Sequence, residues 1–190
     1  AILPFLPTLG GEFVFDDRYQ ILDNDQLRDL RNLPRFFAAD VWAAVGLPWS
    51  PYYRPLMYTT FALEFAVAGA DPWMFRATNL ALHALASLLV TLLLRRTGAP
   101  LLGAGLAGLL FAVHPMHAEV VAWPSARPEL LVTVFTLSAA FVHAASDPSR
   151  GPGFGRFLAT GALVLLALFS TETGVLAPVL SGLVTMLRSR

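Results

Sequence analysis

The chain has 190 residues, enough for one ordinary domain, with 56% hydrophobic and 14% charged residues and a net charge of zero. Soluble domains carry about 25% charged residues, so this is a polytopic membrane composition, and the lack of a basic excess argues against a nucleic-acid partner. Cysteine is absent, which excludes disulfides and thiolate metal sites, and every basic side chain is arginine.

In chain order, residues 1–9 are a short apolar run without the charged leader of a signal peptide. They read as the end of a truncated first span. Residues 10–72 change character: nine of the thirteen acids fall here, which predicts a water-facing, extracytoplasmic loop. It opens on FVFDDRYQILDNDQ, an extended FVF followed by Asp16 and Asp17. Asn24 or Asp25 offers a side-chain oxygen to the free N–H groups of a short helix running to Phe37, which Pro34 is expected to kink or end. FFAADVWAAVGLPWS is a second short amphipathic piece, and Pro55 suits the first turn of another helix. Trp42, Trp49, Tyr52, Tyr53, Tyr58 and Trp73 crowd the segment. Such rings favour the boundary between lipid and water, so amphipathic helices lying in the outer interface are expected.

Membrane spans are expected over 73–190. Residues 73–94 have the length that hydrocarbon requires, about 20 residues, and Arg95 and Arg96 close them. Leu101–Val113 carries Gly103, Ala104, Gly105, Ala107 and Gly108, small residues that let helices approach closely. It reaches span length only by continuing toward His114. Residues 130–145 form the next span, followed by a turn-rich DPSRGPGFGR. Two short runs, 157–169 and 174–187, flank STET and predict a hairpin with Glu172 near its tip. Arginine in short loops favours the cytoplasmic side. Alternating spans put Arg95, Arg96, Arg150, Arg156, Arg188 and Arg190 there, with Asp16, His117 and Glu172 facing outward.

Two histidines, two glutamates, one arginine and three prolines lie in FAVHPMHAEVVAWPSARPELL, residues 111–131, between two apolar runs. Ionisable groups at such a place are costly unless paired or facing a cavity. His114, His117 and Glu119 therefore read as the lining of a water-filled outer cavity. They are also ligand types for a divalent ion, but Pro115 interrupts the helix and no zinc spacing is matched. No metal site is assigned, and a divalent metal stays open as a cofactor. Arg127 and Glu129 pair at a helix start in the plainest reading. Asp16 and Asp17 are either a solvated acidic turn or, when partly buried, carboxylates able to deprotonate a hydroxyl. Arg18 and Arg54 suit an acid or a phosphate. Asn79 and His83 share a helix face, which plain interhelical hydrogen bonds explain. Glu172 is a hairpin tip or a site residue.

The succession FVFDDRYQILDN, YRPL, NLALH, LLFAVHPMHAEVVAWPSARPELL and STETG resembles the membrane half of the transmembrane and TPR repeat-containing O-mannosyltransferases and their bacterial relatives. HPMHAEVVAW is its most specific block. The resemblance implies the C-type glycosyltransferase fold, an all-α polytopic integral membrane bundle whose outer loop holds interfacial helices. It also implies transfer of a sugar from a polyprenyl-phosphate donor to a hydroxyl acceptor (protein Ser/Thr, lipid or glycan), on the extracytoplasmic face of a bacterial inner membrane. The family's first-loop acid carries over to Asp16 or Asp17. Asp16, which directly follows FVF, is taken as the base. Arg54, His114, His117, Glu119, Arg127 and Glu172 are the candidate substrate-binding residues. Thr171 stands where the family usually has Lys, and Pro124 and Ala126 where Val or Ile and Gly are commoner. The family's later spans and TPR repeats are not in this sequence. The rival reading is a non-catalytic membrane scaffold or transporter-like subunit that keeps the fold.

Overall fold

The computed structural model describes residues 2–43, 52–145 and 153–188, and among these every regular element is helical. Residues Leu33–Phe36 form α1, Pro55–Ala68 α2 and Pro72–Arg96 α3. α3 is the axis on which the rest packs. Asp71 accepts the Trp73 N–H at 3.0 Å, Pro72 occupies the first turn, where a missing N–H loses nothing, and Arg95 and Arg96 sit in the last turn, the favourable sign for the helix dipole. At 1.5 Å per residue α3 rises about 37 Å, enough to cross hydrocarbon about 30 Å thick.

α4 (Leu101–Val113) returns along α3 with no space between them. A Cβ on Gly108 would meet the Thr91 side chain and lie 3.0 Å from the Ser87 carbonyl. The outer side of α4 is apolar: Leu101, Leu102 and Leu110 are each at least 67% exposed, a surface that suits lipid. The span expected to continue through His114 is broken there. A 3₁₀ turn, Pro115–His117, leads to α5 (Ala118–Ala122), and the two parts differ in direction by 48°. Pro115 has no N–H for the preceding turn, and it forces His114 to an extended backbone, φ −66° and ψ 128°.

A second 3₁₀ turn, Pro124–Ala126, opens into α6 (Arg127–His143). Pro72–Arg96 and Pro124–His143 are long and apolar enough to cross a membrane, and the broken α4–α5 pair passes the same test as one bent unit. α7 (Phe154–Ser170) and α8 (Leu176–Arg188) both pack on α6. The turn Glu172–Val175 joins them, so the hairpin has the expected tip. Gly174 is required in it, since a Cβ would lie 2.6 Å from the Leu168 amide nitrogen. At the far end Arg188 donates to the Ala144 carbonyl, and the Arg96 guanidinium lies 4.3 Å over the Phe141 ring. Arg95, Arg96 and Arg188 thus gather at one end, while Arg150 and Arg190 lie outside the described residues.

The loop region departs from expectation in detail. Asn24 does cap, accepting the Gln26 N–H at 3.1 Å. The single helix to Phe37 is instead two 3₁₀ turns, Asp25–Arg28 and Leu30–Asn32, followed by α1. Pro34 lies in the first turn of α1 rather than ending a helix, because a first turn needs no donor at that place. Much of FFAADVWAAVGLPWS, with Trp49, lies outside the described residues. Pro55 begins α2 as expected, and Gly69 ends it at φ 63°, a left-handed cap that a side chain would strain. Ile21, Leu27, Phe36, Met57, Phe61 and Phe75, each no more than 2% exposed, form the core beneath. Tyr58 belongs to that core and not to an interfacial belt: its hydroxyl donates to the Val41 carbonyl at 2.6 Å. Residues 3–10 form a 3₁₀ helix that lays Phe5 against Leu80 and Val121.

α2, α3 and α6 meet at Arg127, whose side chain is wholly buried. Nη1 donates to Glu64 Oε1 at 2.6 Å and to the Thr60 hydroxyl at 3.1 Å. Nε donates to Asn79 Oδ1 at 2.8 Å, and Nη2 to the Phe75 carbonyl at 2.7 Å. The Phe61 ring lies 4.7 Å from the guanidinium carbon. The ion-pair partner is therefore Glu64 of α2 and not the exposed Glu129.

Removing one member of a buried pair strands the other charge, at a cost of about 3–5 kcal/mol. Arg127→Met should lower the thermal midpoint of the detergent-solubilised protein accordingly, and the double variant Arg127→Met, Glu64→Leu should regain most of the loss. Gly174→Ala should destabilise by about 1–3 kcal/mol, as overpacking does, because the atoms it meets are backbone; the same melts check it.

Candidate active site

Broken helices leave backbone polar groups without helical partners, and inside a membrane each must find one. Here α3 supplies them. His83 Nε2 lies 3.0 Å from the Ala112 carbonyl just before the first break. A carbonyl only accepts, so that nitrogen carries the proton. Asn79 Nδ2 donates to the Val120 and Trp123 carbonyls, at 3.1 and 3.0 Å, around the second break. The pair reads as interhelical bonding, as its spacing suggested.

The third tie comes from the first loop. The Asp17 N–H donates to the Val14 carbonyl at 3.0 Å, closing a tight turn, and the Val14 N–H returns a bond to Asp17 Oδ2 at 3.0 Å. Asp17 Oδ1 accepts the Ser125 N–H at 2.9 Å and its hydroxyl at 2.5 Å. Asp17 is completely buried. Burial pushes its carboxyl above the ordinary value and outweighs the donors from Ser125 and Val14, which pull it down. Both oxygens accept hydrogen bonds from the protein, so Asp17 ties the first loop to the segment before α6.

Asp16 has the other arrangement. It is half-buried in the same turn, and among the described residues no donor reaches its carboxylate. Phe15 beside it has φ 49°, the only positive value at a non-glycine among the described residues. A left-handed backbone costs a residue with a side chain about 1–2 kcal/mol. The phenyl ring is 84% exposed and meets Trp123 edge-on, centroids 6.3 Å apart.

Arg54 leads into α2, with its guanidinium 5.0 Å from the Tyr52 ring centre. Glu172 is exposed at the hairpin tip and accepts the Thr171 hydroxyl at 3.0 Å. A bond from its own backbone N–H, helped by that hydroxyl and the Arg54 cation, holds its carboxyl below the usual value against the opposing effect of burial. Burial raises the Tyr58 phenol, and Asp40 and Asp16 raise it further while Arg54 opposes them. Asp16, Arg54 and Glu172 therefore share one end of the bundle, opposite the arginine end. Phe169 fastens that end, with its ring 5.7 Å from Phe37 and 6.4 Å from Tyr53.

His114 and His117 sit side by side, ring centroids 5.9 Å apart, but Glu119 does not join them in a cluster of three. His117 is half-buried between the rings of Phe111 and His83, at 4.4 and 5.1 Å. His114 is exposed and accepts the Met116 N–H through Nδ1 at 3.3 Å, while Glu119 is exposed on α5. No three His, Asp or Glu side chains gather at ion-ligand range among the described residues. A groove of about 350 Å³ opens between α3, α4, α6 and the hairpin tip. Val90, Phe111, Val132 and Leu137 form its apolar walls, with Glu129, Thr133 and Thr173 as polar points; His114, His117 and Glu119 do not line it. Glu129 and Thr133 were legible as an i, i+4 polar pair on an apolar helix. Ser125 gave no signal, because its role depends on a partner 108 positions away in the chain.

Chemically this end offers a carboxylate free to take a proton, a cation beside a second carboxylate, and an apolar groove with polar points. No family model and no solved structure matches the chain. It is 33% identical over 189 residues to the protein O-mannosyl-transferase Tmtc1 of Drosophila melanogaster, which covers 98% of this chain and 22% of that protein. To the protein O-mannosyl-transferase TMTC2 of Mus musculus it is 32% identical over 180 residues, 90% of this chain and 21% of the relative. To TMTC3 of Mus musculus it is 34% identical over 169 residues, 86% and 18%. The chain spans about a fifth of the length of these curated relatives. The likeness takes in the first loop, the broken span and the hairpin together, and by it the chain belongs to the TMTC protein O-mannosyl-transferase family.

Proposed function

We propose that this chain holds the base and part of the donor site of an O-mannosyltransferase that takes its sugar from a polyprenyl phosphate and works on the extracytoplasmic face of the membrane, a bacterial inner membrane. The observation that carries this reading is the division of the acid pair, with Asp17 bound on both oxygens and Asp16 left free beside it. A protein Ser or Thr hydroxyl attacks the anomeric carbon while its proton passes to Asp16. The bond from that carbon to the phosphate oxygen breaks on the opposite face, so the configuration inverts and polyprenyl phosphate leaves with the electron pair. Arg54, at the same end, supplies the cation that the departing phosphate needs. His114, His117, Glu119 and Glu172 bind sugar or acceptor hydroxyls, and the groove beside Phe111 takes isoprenoid chain. Arg127 has no part in substrate contact, since its donors are spent inside the bundle. The gathering of Arg95, Arg96 and Arg188 at the far end supports the sidedness.

Asp16→Asn keeps the shape and removes the base. Turnover of polyprenyl-phosphate mannose on a Ser/Thr peptide by the full-length protein should fall by about 10²–10⁴-fold, with donor binding little changed. Transfer by Asp16→Asn at the wild-type rate would return Asp16 to a plain acidic turn, whereas no transfer by the wild type itself would favour the scaffold reading. Sidedness has its own check, since these 190 residues hold no cysteine to compete with an introduced one. A membrane-impermeant maleimide should label Glu172→Cys from outside and Arg95→Cys only from the cytoplasm. Labelling of position 172 from the cytoplasm alone would overturn the outward-facing site.

A further inference from the structure

We propose that Phe15 and Ser125 are positioning residues for Asp16, setting the direction of its carboxylate through two contacts with the segment that joins α5 to α6. The proposal rests on Asp16 being the base. Phe15 is the anomaly to explain. Glycine would adopt φ 49° freely, and asparagine more easily than a bulky aromatic, so the turn itself does not call for a phenyl ring. Nor does the ring serve the core, being 84% exposed. What it does is meet Trp123 edge-on.

Two residues further along the chain, Asp17 holds Ser125 through both the N–H and the hydroxyl. Asp16 therefore lies between two fixed points, Phe15 on Trp123 and Asp17 on Ser125. The segment they grip is itself fixed, because Asn79 binds the Trp123 carbonyl and Arg127 begins α6 two residues after Ser125. A strained backbone persists only where its surroundings over-determine it, and this turn has three side-chain hydrogen bonds, all made by Asp17, to do so. The strain has a geometric result: Asp17 is turned inward and Asp16 is held toward the free side. In an unstrained extended chain the two carboxylates would be at liberty to exchange these places.

The test compares Phe15→Gly, Ser125→Ala and Ser125→Thr in membranes containing the full-length protein, with polyprenyl-phosphate mannose and a Ser/Thr peptide as probes. Phe15→Gly relieves the left-handed strain, so its thermal midpoint should hold or rise while kcat falls on the order of tenfold and donor KM stays. Ser125→Ala should show the same split, and Ser125→Thr, which keeps the hydroxyl, should restore kcat. A nitroxide on Asp16→Cys reads the turn without activity: it should be immobilised in the parent and mobile with Phe15→Gly or Ser125→Ala. Asp16→Asn is run beside them. Should it turn over normally, the base assignment fails whatever the other variants do. If it is inactive while Phe15→Gly and Ser125→Ala match wild type, the positioning proposal alone is overturned. A lowered midpoint for Phe15→Gly with the label still immobile would mark Phe15 as an interfacial anchor and also overturn it.

Discussion

A guanidinium with no access to water must have its charge and its N–H groups met by protein, and the fold is arranged around that demand at Arg127. Its four hydrogen bonds reach α2 through Glu64 and Thr60 and α3 through Asn79 and the Phe75 carbonyl. None of these helices can shift by a residue without stranding a charge, at a cost far above that of an apolar mismatch. The pair is thus a register device that joins the loop helix α2 to the spans. Asn79 passes the constraint on: its oxygen takes Arg127, and its amide takes two carbonyls of the broken segment.

That segment shows how irregular backbone is kept at membrane depth. Pro115 and the Pro124 turn interrupt the helix twice between Leu101 and His143, and side chains from elsewhere meet the freed carbonyls. His83 serves the first break and Asn79 the second, both from one face of α3. The polar residues that look misplaced in an apolar helix are the ones that make the breaks tolerable. A broken span in turn brings side chains to a level that a straight helix would pass by, which is how Trp123 and Ser125 come to meet the first loop.

The adjacent acids show how two like residues acquire different duties. Asp17 is fully buried with three hydrogen bonds; Asp16 is half-buried, and among the described residues no donor reaches its carboxylate. Phe15, the left-handed residue, immediately precedes the two acids. Burial raises the carboxyl of Asp17, so the framework acid is also the one whose ionisation the protein resists. Around them, Arg54, Glu172 and the rings of Phe37, Tyr53 and Phe169 join the loop to the hairpin tip.

Much of this was legible in the residues alone. Length and apolarity marked α3 and α6 as spans, the arginine placement put Arg95 and Arg188 at one end, and STET fell at the tip of the α7–α8 hairpin. These features are local: a run of apolar residues and its flanking charges carry the whole physical reason. The resemblance in HPMHAEVVAW likewise named the family before any contact was known. Only the tertiary structure decided the partners. Arg127 faces Glu64 and not Glu129, Tyr58 faces the core, Pro34 falls in the first turn of a helix, and His114 meets His117 without Glu119 completing a cluster of three. Sequence spacing fixes what can meet within one helix, where three or four residues make a turn. It says nothing about which side chain arrives from a helix 63 positions away to share a buried charge.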